Sequence, residues 1–213
     1  GESTPDNEFA LESVYCLGHC ANGPTAMIDD TVYTNLSSAD ADSLINGKPD
    51  TAPTEIVETD NRLIFNRCGR VDPLDFDAYR ADGGFSNAPT SSESVLAEIR
   101  SSGLRGRGGA GFPAHIKWQT VADQPNNQKY IVCNADEGDS GTFADRLIME
   151  GDPFLLIEGM AIAAGAVGAS KGFIYLRSEY PEAADILTEA LQIGRREGAL
   201  NENFDIALFI GAG

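Results

Sequence analysis

Lys129-Tyr130-Ile131-Val132-Cys133 is a run of strand type that opens directly onto Asn134-Ala135-Asp136-Glu137-Gly138-Asp139, a loop of hydrogen-bond acceptors and glycine. The run reads as a buried strand, because a short stretch of apolar and β-branched residues bounded by turn formers favours a sheet interior. Downstream the period changes. Phe154 to Ala166 carries Leu155, Leu156, Met160, Ile162 and Ala163, which indicates a helix. Gly172-Phe173-Ile174-Tyr175-Leu176-Arg177 is a further strand, Pro181 opens a helix to about Arg196, and Ile206-Ala207-Leu208-Phe209 is again of strand type. Alternation of strand and helix argues for an α/β layer fold over a mainly parallel sheet.

Upstream, Arg62 to Asn66 has the look of a strand, and Asp72-Pro73 starts a helix through about Ala81 that Gly83-Gly84 ends. A second helix has Ser or Thr caps near Thr90 to Ser92, Glu93 in its first turn, and Val95, Leu96 and Ile99 on one face. Nearer the amino terminus, residues 8–20 form a cysteine-bearing loop, and residues 25–33 a short hairpin turning at Asp29-Asp30. Residues 38–45 have helical character, and residues 46–60, rich in Pro, Thr and acids, read as a linker.

Between these halves lies Ser102-Gly103-Leu104-Arg105-Gly106-Arg107-Gly108-Gly109-Ala110-Gly111-Phe112-Pro113, with five glycines in the nine positions from Gly103 to Gly111. Glycine lets a backbone turn sharply and approach a ligand, and successive N–H groups then make an anion-binding nest. Gly106-x-Gly108-x-x-Gly111 matches the dinucleotide fingerprint in form. That fingerprint needs a strand before it, and the preceding residues have helical character. A Walker loop is absent, since no Gly-Lys-Ser/Thr follows. A purely structural glycine turn is the alternative. Arg105, Arg107 and Lys117 share residues 103–117 with no acid, which favours a phosphate. The loop from Asn134 to Arg146 stands where ligands of α/β folds sit, at the carboxyl end of a strand, and its acceptors suit sugar hydroxyls. Its alternative is a solvated acidic turn with Asn134 or Asp136 as a helix cap.

Charge narrows the function classes. The chain of 213 residues carries a net charge of −18, and residues 1–60 hold twelve acids against the single Lys48, a net of −11. Such a surface repels nucleic-acid phosphates and anionic membranes, and no run of about 18 apolar residues offers a span. A hydrophobic content of 42% with 23% charged residues is that of a chain that folds. Cys16, Cys20, Cys68 and Cys133 make no disulfide framework, and with no secretory signal the chain reads as cytoplasmic. Cys133, inside a strand, is a small buried hydrophobe; His19 and His115 read as exposed or loop histidines. Both chain ends read as truncations.

These stretches resemble a known family. Gly103 to Pro113, Lys117-Trp118, Asn134-Ala135-Asp136-Glu137 and Leu156-Ile157-Glu158-Gly159-Met160 are similar to the flavin domain of the NADH-oxidising, 51 kDa type subunits of complex I, over roughly residues 62–213. The resemblance implies a Rossmann-like domain holding FMN, with its phosphate near Gly106, Arg107, Gly108 and Gly109. Lys117, Asn134, Asp136 and Glu137 would reach ribityl and ring atoms. NADH would stack on the flavin with its adenine near Phe112 and a contact at Asp139. Hydride transfer from nicotinamide to flavin needs no catalytic side chain, and electrons would leave singly to iron–sulfur clusters.

Within that family the run from Asp136 to Arg146, with Met149-Glu150-Gly151-Asp152-Pro153, is most similar to β subunits of soluble NAD-dependent formate dehydrogenases, which implies α and γ type subunits as partners. Two positions depart from respiratory members: Asp139 stands where Glu is usual, and Thr120 where an aromatic would help hold adenine. Cys16-Leu17-Gly18-His19-Cys20 resembles the second half of a thioredoxin-like [2Fe-2S] domain, so Cys16 and Cys20 would supply half of a four-thiolate set or be vestigial. The resemblance divides the chain into a partial thioredoxin-like domain at 1–47, a linker at 48–61, a lead-in at 62–102 and an FMN/NADH-binding domain at 103–213. A flavin-covering Gly-Glu-Glu loop and a [4Fe-4S] domain would follow Gly213. The alternatives are a complex I or NAD-reducing hydrogenase subunit, or a phosphate- or nucleotide-binding module without turnover.

Overall fold

A computed structural model of the chain describes residues 2–4, 10–11, 24–28, 31–46, 62–86, 91–107, 110–139 and 141–212. They fall into two units, Gly1–Arg62 with Glu137–Phe143, and Leu63–Asp136 with Ala144–Gly213. In the first unit, β1 (Glu2–Ser3) pairs antiparallel with β2 (Ala10–Leu11), and β3 (Ala26–Ile28) with β4 (Thr31–Tyr33). Ile28 faces Thr31 across the second ladder; Asp29 and Asp30, where the turn is expected, lie outside the described residues. The helical segment expected at 38–45 is a 3-10 turn, Ser38–Asp40, running into α1 (Ala41–Ile45). Ser37 caps it: its hydroxyl accepts from Ala39 N, and the Asp40 carboxylate accepts from Ser37 N at 2.7 Å. The Ser37 hydroxyl, donating to Asp40 Oδ2 at 2.7 Å, and then Ser37 N hold the Asp40 carboxyl below its usual range. The expected linker at 48–61, and Cys16, His19 and Cys20, lie outside the described residues.

The second unit begins with a correction. Residues 62–66 form turns, not a strand, and Leu63 is 93% exposed. Leu63-Ile64-Phe65 has strand-type composition, but a strand needs a neighbour to take its backbone hydrogen bonds. The helix expected from Asp72 starts later, as α2 (Phe76–Ala81), where the Asp75 carboxylate accepts from Ala78 N. Glu158 anchors this helix, accepting from Tyr79 Oη at 2.5 Å and Phe85 N at 2.9 Å. Burial, reinforced by that carboxylate, pushes the Tyr79 hydroxyl pKa far up. The helix α3 (Ser92–Ser102) is capped by Ser91 and buries Val95 and Leu96; α4 (Ala114–Ala122) follows the glycine segment.

Three parallel strands form the sheet: β5 (Tyr130–Ala135), β6 (Lys171–Arg177) and β7 (Asp205–Gly211), in the order β5-β6-β7. Val132 lies beside Phe173, and Phe173 beside Ala207. Between the strands run α5 (Ala144–Gly151), α6 (Pro153–Val167) and α7 (Pro181–Arg196). Successive crossovers in one direction along a parallel sheet, right-handed as a rule, bring their helices to one face. Alternation along the strands agrees, since Ala135, Ile174, Leu176 and Ile206 are buried while Tyr130, Val132, Tyr175 and Phe209 are exposed.

Among the described residues the run at 129–133, expected to be buried, is therefore an edge strand, with Val132 65% exposed. The core lies between the sheet and the helices. There α7 contributes Ala183, Leu187, Ala190, Leu191 and Gly194 at helical spacing. Gly172 is required by packing: a Cβ there would come within 2.9 Å of Ile206 and Phe204 side-chain atoms. Cys68 is buried, its thiol donating to Leu147 O at 3.4 Å, and lies against Gly151, where a Cβ would meet its sulfur at 2.9 Å.

Candidate functional site

The glycine segment follows a helix, not a strand. Gly103 ends α3 in the left-handed conformation, with φ 66°. The loop then closes on itself: Arg105 bridges Pro113, Gly106 N donates to Phe112 O at 2.8 Å, and Ala114 N donates to Leu104 O at 2.9 Å. Arg105 Nη1 adds a bond to Gly111 O at 2.8 Å, and Gly111 turns at φ 59°. Arg105 is thus part of the loop's own frame. Arg107 is exposed, and Gly108 and Gly109 lie outside the described residues.

The loop delivers the chain to α4, whose N-terminus has no side-chain cap and no acid in its first turn. Unpaired helix N–H groups favour an anion there. Lys117 stands over this region, its Nζ 5.7 Å from the Phe112 ring centroid and 4.0 Å from where a Cβ on Gly106 would sit. Phe112 is 45% exposed, so its ring is accessible to a planar ligand. His115, which the sequence places on the surface or in a loop, is in α4 and partly buried, with Nδ1 buried and lacking a hydrogen-bond partner.

At the carboxyl end of β5, Asn134 is neither a helix cap nor free: its Oδ1 accepts from Asp136 N at 3.0 Å, a local turn. That turn sets the direction of Asp136, whose Oδ1 is buried and has no hydrogen-bond partner among the described residues. Arg177 Nε, from the end of the neighbouring strand β6, is 3.9 Å away. In the sequence Arg177 reads only as the end of a strand. The signal that points to it is an arginine closing the strand parallel to the one that carries Asp136.

Glu137 and Asp139 belong to the segment Glu137–Phe143 of the other unit. There Asp139 O accepts from Thr142 N at 3.2 Å and Thr142 Oγ1 at 2.6 Å, leaving the Asp139 carboxylate exposed. Thr120 donates to Ile116 O at 2.7 Å along α4.

A cleft of about 510 Å³ joins α4 to β5, lined by Lys117, Trp118, Tyr130, Cys133, Leu156 and Met160 among others. Its lining is apolar apart from Lys117. Cys133, expected to be buried, is half-buried; burial, with Asp145 nearby, still pushes its thiol up to about 11, which makes it a poor nucleophile at neutral pH. Native Cys133 holds its proton more tightly than the unfolded chain does. Its contribution to stability is therefore complete below the usual thiol range and declines as pH rises through that range to about 11. Alkylation of native protein by iodoacetamide at pH 8, mapped by mass spectrometry, is expected to leave Cys133 at least tenfold less modified than in denatured protein. Equal labelling of both states would contradict this.

The donor and acceptor set fits FMN. An uncapped helix start with Lys117 and Arg107 suits a phosphate, and a buried carboxylate oxygen without a donor among the described residues suits a polyol hydroxyl. Among the described residues no group of three or more His, Cys, Asp or Glu is arranged to hold a metal ion, and no helix is long and apolar enough to cross a membrane.

Comparison with known proteins gives the same direction. Residues 99–213 match the Nuo51 FMN-binding domain, and residues 1–48 the thioredoxin-like [2Fe-2S] ferredoxin family. The NADP-reducing hydrogenase subunit HndC of Solidesulfovibrio fructosivorans is 44% identical over 71% of this chain and 33% of its own length. An NADH-quinone oxidoreductase subunit of Aquifex aeolicus is 38% identical over 76% of this chain and 40% of its own. The NAD-reducing hydrogenase HoxS subunit alpha of Cupriavidus necator is 35% identical over 100% of this chain and 39% of its own. The solved NAD+-reducing [NiFe]-hydrogenase in its air-oxidised state aligns over 100% of this chain and 37% of that one, with TM-score 0.64 and 28% identity. The chain thus spans 33% to 40% of the length of these relatives.

Proposed function

The chain belongs to the Nuo51 FMN-binding domain family, and on that premise we propose that it holds the flavin of an NADH:acceptor oxidoreductase subunit. The observation that carries this reading is the buried Asp136 Oδ1 at the carboxyl end of β5, which lacks a donor among the described residues, in the unit that also holds the electropositive start of α4. Backbone N–H groups of the loop at Gly106, Arg107, Gly108 and Gly109, with Lys117, bind the FMN phosphate. Asn134, Asp136 and Glu137 take the ribityl and ring side. Phe112 and Asp139 serve NADH. FMN, when bound, supplies the acceptor for a hydride from NADH and releases electrons one at a time. The protein's work is to bind and orient both partners and to keep water from the contact.

The division at 1–47, 48–61, 62–102 and 103–213 goes with this proposal. So does an amino-terminal half-site in which Cys16 and Cys20 supply two of the four thiolates of a [2Fe-2S] cluster. The relatives named above serve hydrogenases and a quinone oxidoreductase. For this chain we favour a soluble NAD-dependent formate dehydrogenase, on the run from Asp136 to Arg146 and Met149 to Pro153. Its partners are then the α and γ type subunits, and a [4Fe-4S] centre in the complete protein receives the electrons.

Anaerobic addition of NADH to the complete protein tests the core of the reading. A flavin band near ~450 nm that NADH bleaches is expected. A colourless protein that takes up no FMN would remove the oxidoreductase assignment and leave a phosphate-binding module. Formate-dependent reduction of NAD+ by the co-purified complex tests the finer one.

A further inference from the structure

Asp136 is held by an arrangement that the family likeness does not describe. Its Oδ1 is buried and accepts no hydrogen bond from the described residues, which is unfavourable for a carboxylate unless an opposite charge is near. Arg177 Nε, 3.9 Å away, is that charge, and the distance is too long for a hydrogen bond. Oδ1 therefore keeps acceptor capacity that no described residue fills, while the ion pair fixes the carboxylate.

Arg177 is itself immobilised. Its Nε donates to Glu179 Oε2 at 3.2 Å, its Nη2 lies 3.2 Å from Glu179 Oε1, and its guanidinium stacks on the Tyr180 ring at 5.2 Å. These contacts, the Glu179 hydrogen bond foremost, hold Arg177 firmly protonated. Tyr180 is 2% exposed and also carries the Arg146 guanidinium at 5.3 Å, tying the start of α7 to α5. A planar fork fixed on two sides sets direction as well as charge, which a lysine does not.

We propose that Arg177 is a positioning residue for flavin binding: clamped by Glu179 and Tyr180, it holds Asp136 with one oxygen turned to a ribityl hydroxyl. The inference rests on the FMN reading of this site. Arg177 touches no ligand; it acts through Asp136.

A double-mutant cycle on the complete protein tests this, with FMN affinity of the flavin-stripped form read by quenching of flavin fluorescence. Arg177→Gln is expected to weaken FMN binding about tenfold or more in the wild-type background and less than about twofold in Asp136→Asn, since coupled neighbours are not additive. Arg177→Lys is expected to lose about threefold with the same disappearance, and it carries the cycle if Arg177→Gln does not fold. Equal losses in both backgrounds, or no loss from Arg177→Gln beside wild type, overturn the inference and leave the flavin reading standing. An Asp136→Asn variant that binds FMN as tightly as wild type overturns it too, by removing the contact it acts through. Wild-type protein that binds no FMN removes the flavin reading and the inference together.

Discussion

Replacing Asp136 and Glu137 together by alanine is expected to strip the flavin from the complete protein while leaving it folded. Asp136 presents a buried oxygen with no hydrogen-bond donor among the described residues, and Glu137 follows it in the chain. A hydrogen bond to a charged group contributes roughly 1.5 to 3 kcal/mol. Losing two such bonds weakens binding by about a hundredfold to ten-thousandfold at tenfold per 1.4 kcal/mol. Gel-filtered variant protein should carry no band near ~450 nm, and FMN titration should show the loss directly. The apo form should unfold within a few degrees of the wild-type apo form, because Asp136 is at the rim of the sheet and makes no helix or sheet bond with its side chain. A variant that keeps its flavin through gel filtration would take both carboxylates out of the site.

Leu187→Ala is expected to be the most damaging conservative change to the fold. Leu187 is 0% exposed and stands at the middle of the buried stripe of α7, between Ala183 and Leu191. Its neighbours on that stripe are mostly alanine and glycine, too small to close over the gap. Removing a buried leucine side chain costs about 2 to 5 kcal/mol, the upper part of the range applying where the site collapses poorly. For a protein of this size that lowers the melting temperature by roughly 5 to 15 °C. Calorimetry on the two proteins decides it. A loss below about 2 °C would mean that α7 is not seated on the core as described.

The two expectations separate what holds the molecule together from what the proposed flavin site requires. Leu187 and its stripe are far from any titratable group of the site in chemistry and in role. Asp136, Arg177 and Tyr180 form a charged network at the rim, where each carboxylate or guanidinium is retained at some cost in desolvation. Such networks gather where a ligand supplies the missing partner.

Much of the fold was legible because it depends on local order. The strands at 172–177 and 206–209 and the helix at 154–166 appear where periodicity places them, extended by one or two residues at their ends, and the helix at 181–196 keeps its expected bounds. Pro153 and Pro181 open their helices, and Gly103 and Gly168 close theirs in the left-handed conformation. The sharp turns of the glycine loop were legible for the same reason, Gly103 and Gly111 both taking positive φ, while Gly108 and Gly109 lie outside the described residues. Leu63-Ile64-Phe65 shows the limit. Composition alone made it a strand, and among the described residues no neighbouring strand receives it.

The amino-acid sequence by itself determined the α/β alternation, the glycine-rich turn after α3 and the family, because each is written in adjacent residues whose backbone chemistry is local. Tertiary structure alone decided that β5 is an edge among the described residues, that Cys133 lines an apolar cleft, and that Arg177 stands 3.9 Å from the buried oxygen of Asp136. These facts join residues about forty positions apart through the register of parallel strands, Asn134 beside Tyr175 and Ala135 beside Leu176. Register is fixed by the packing of whole faces, and no short window of sequence contains it.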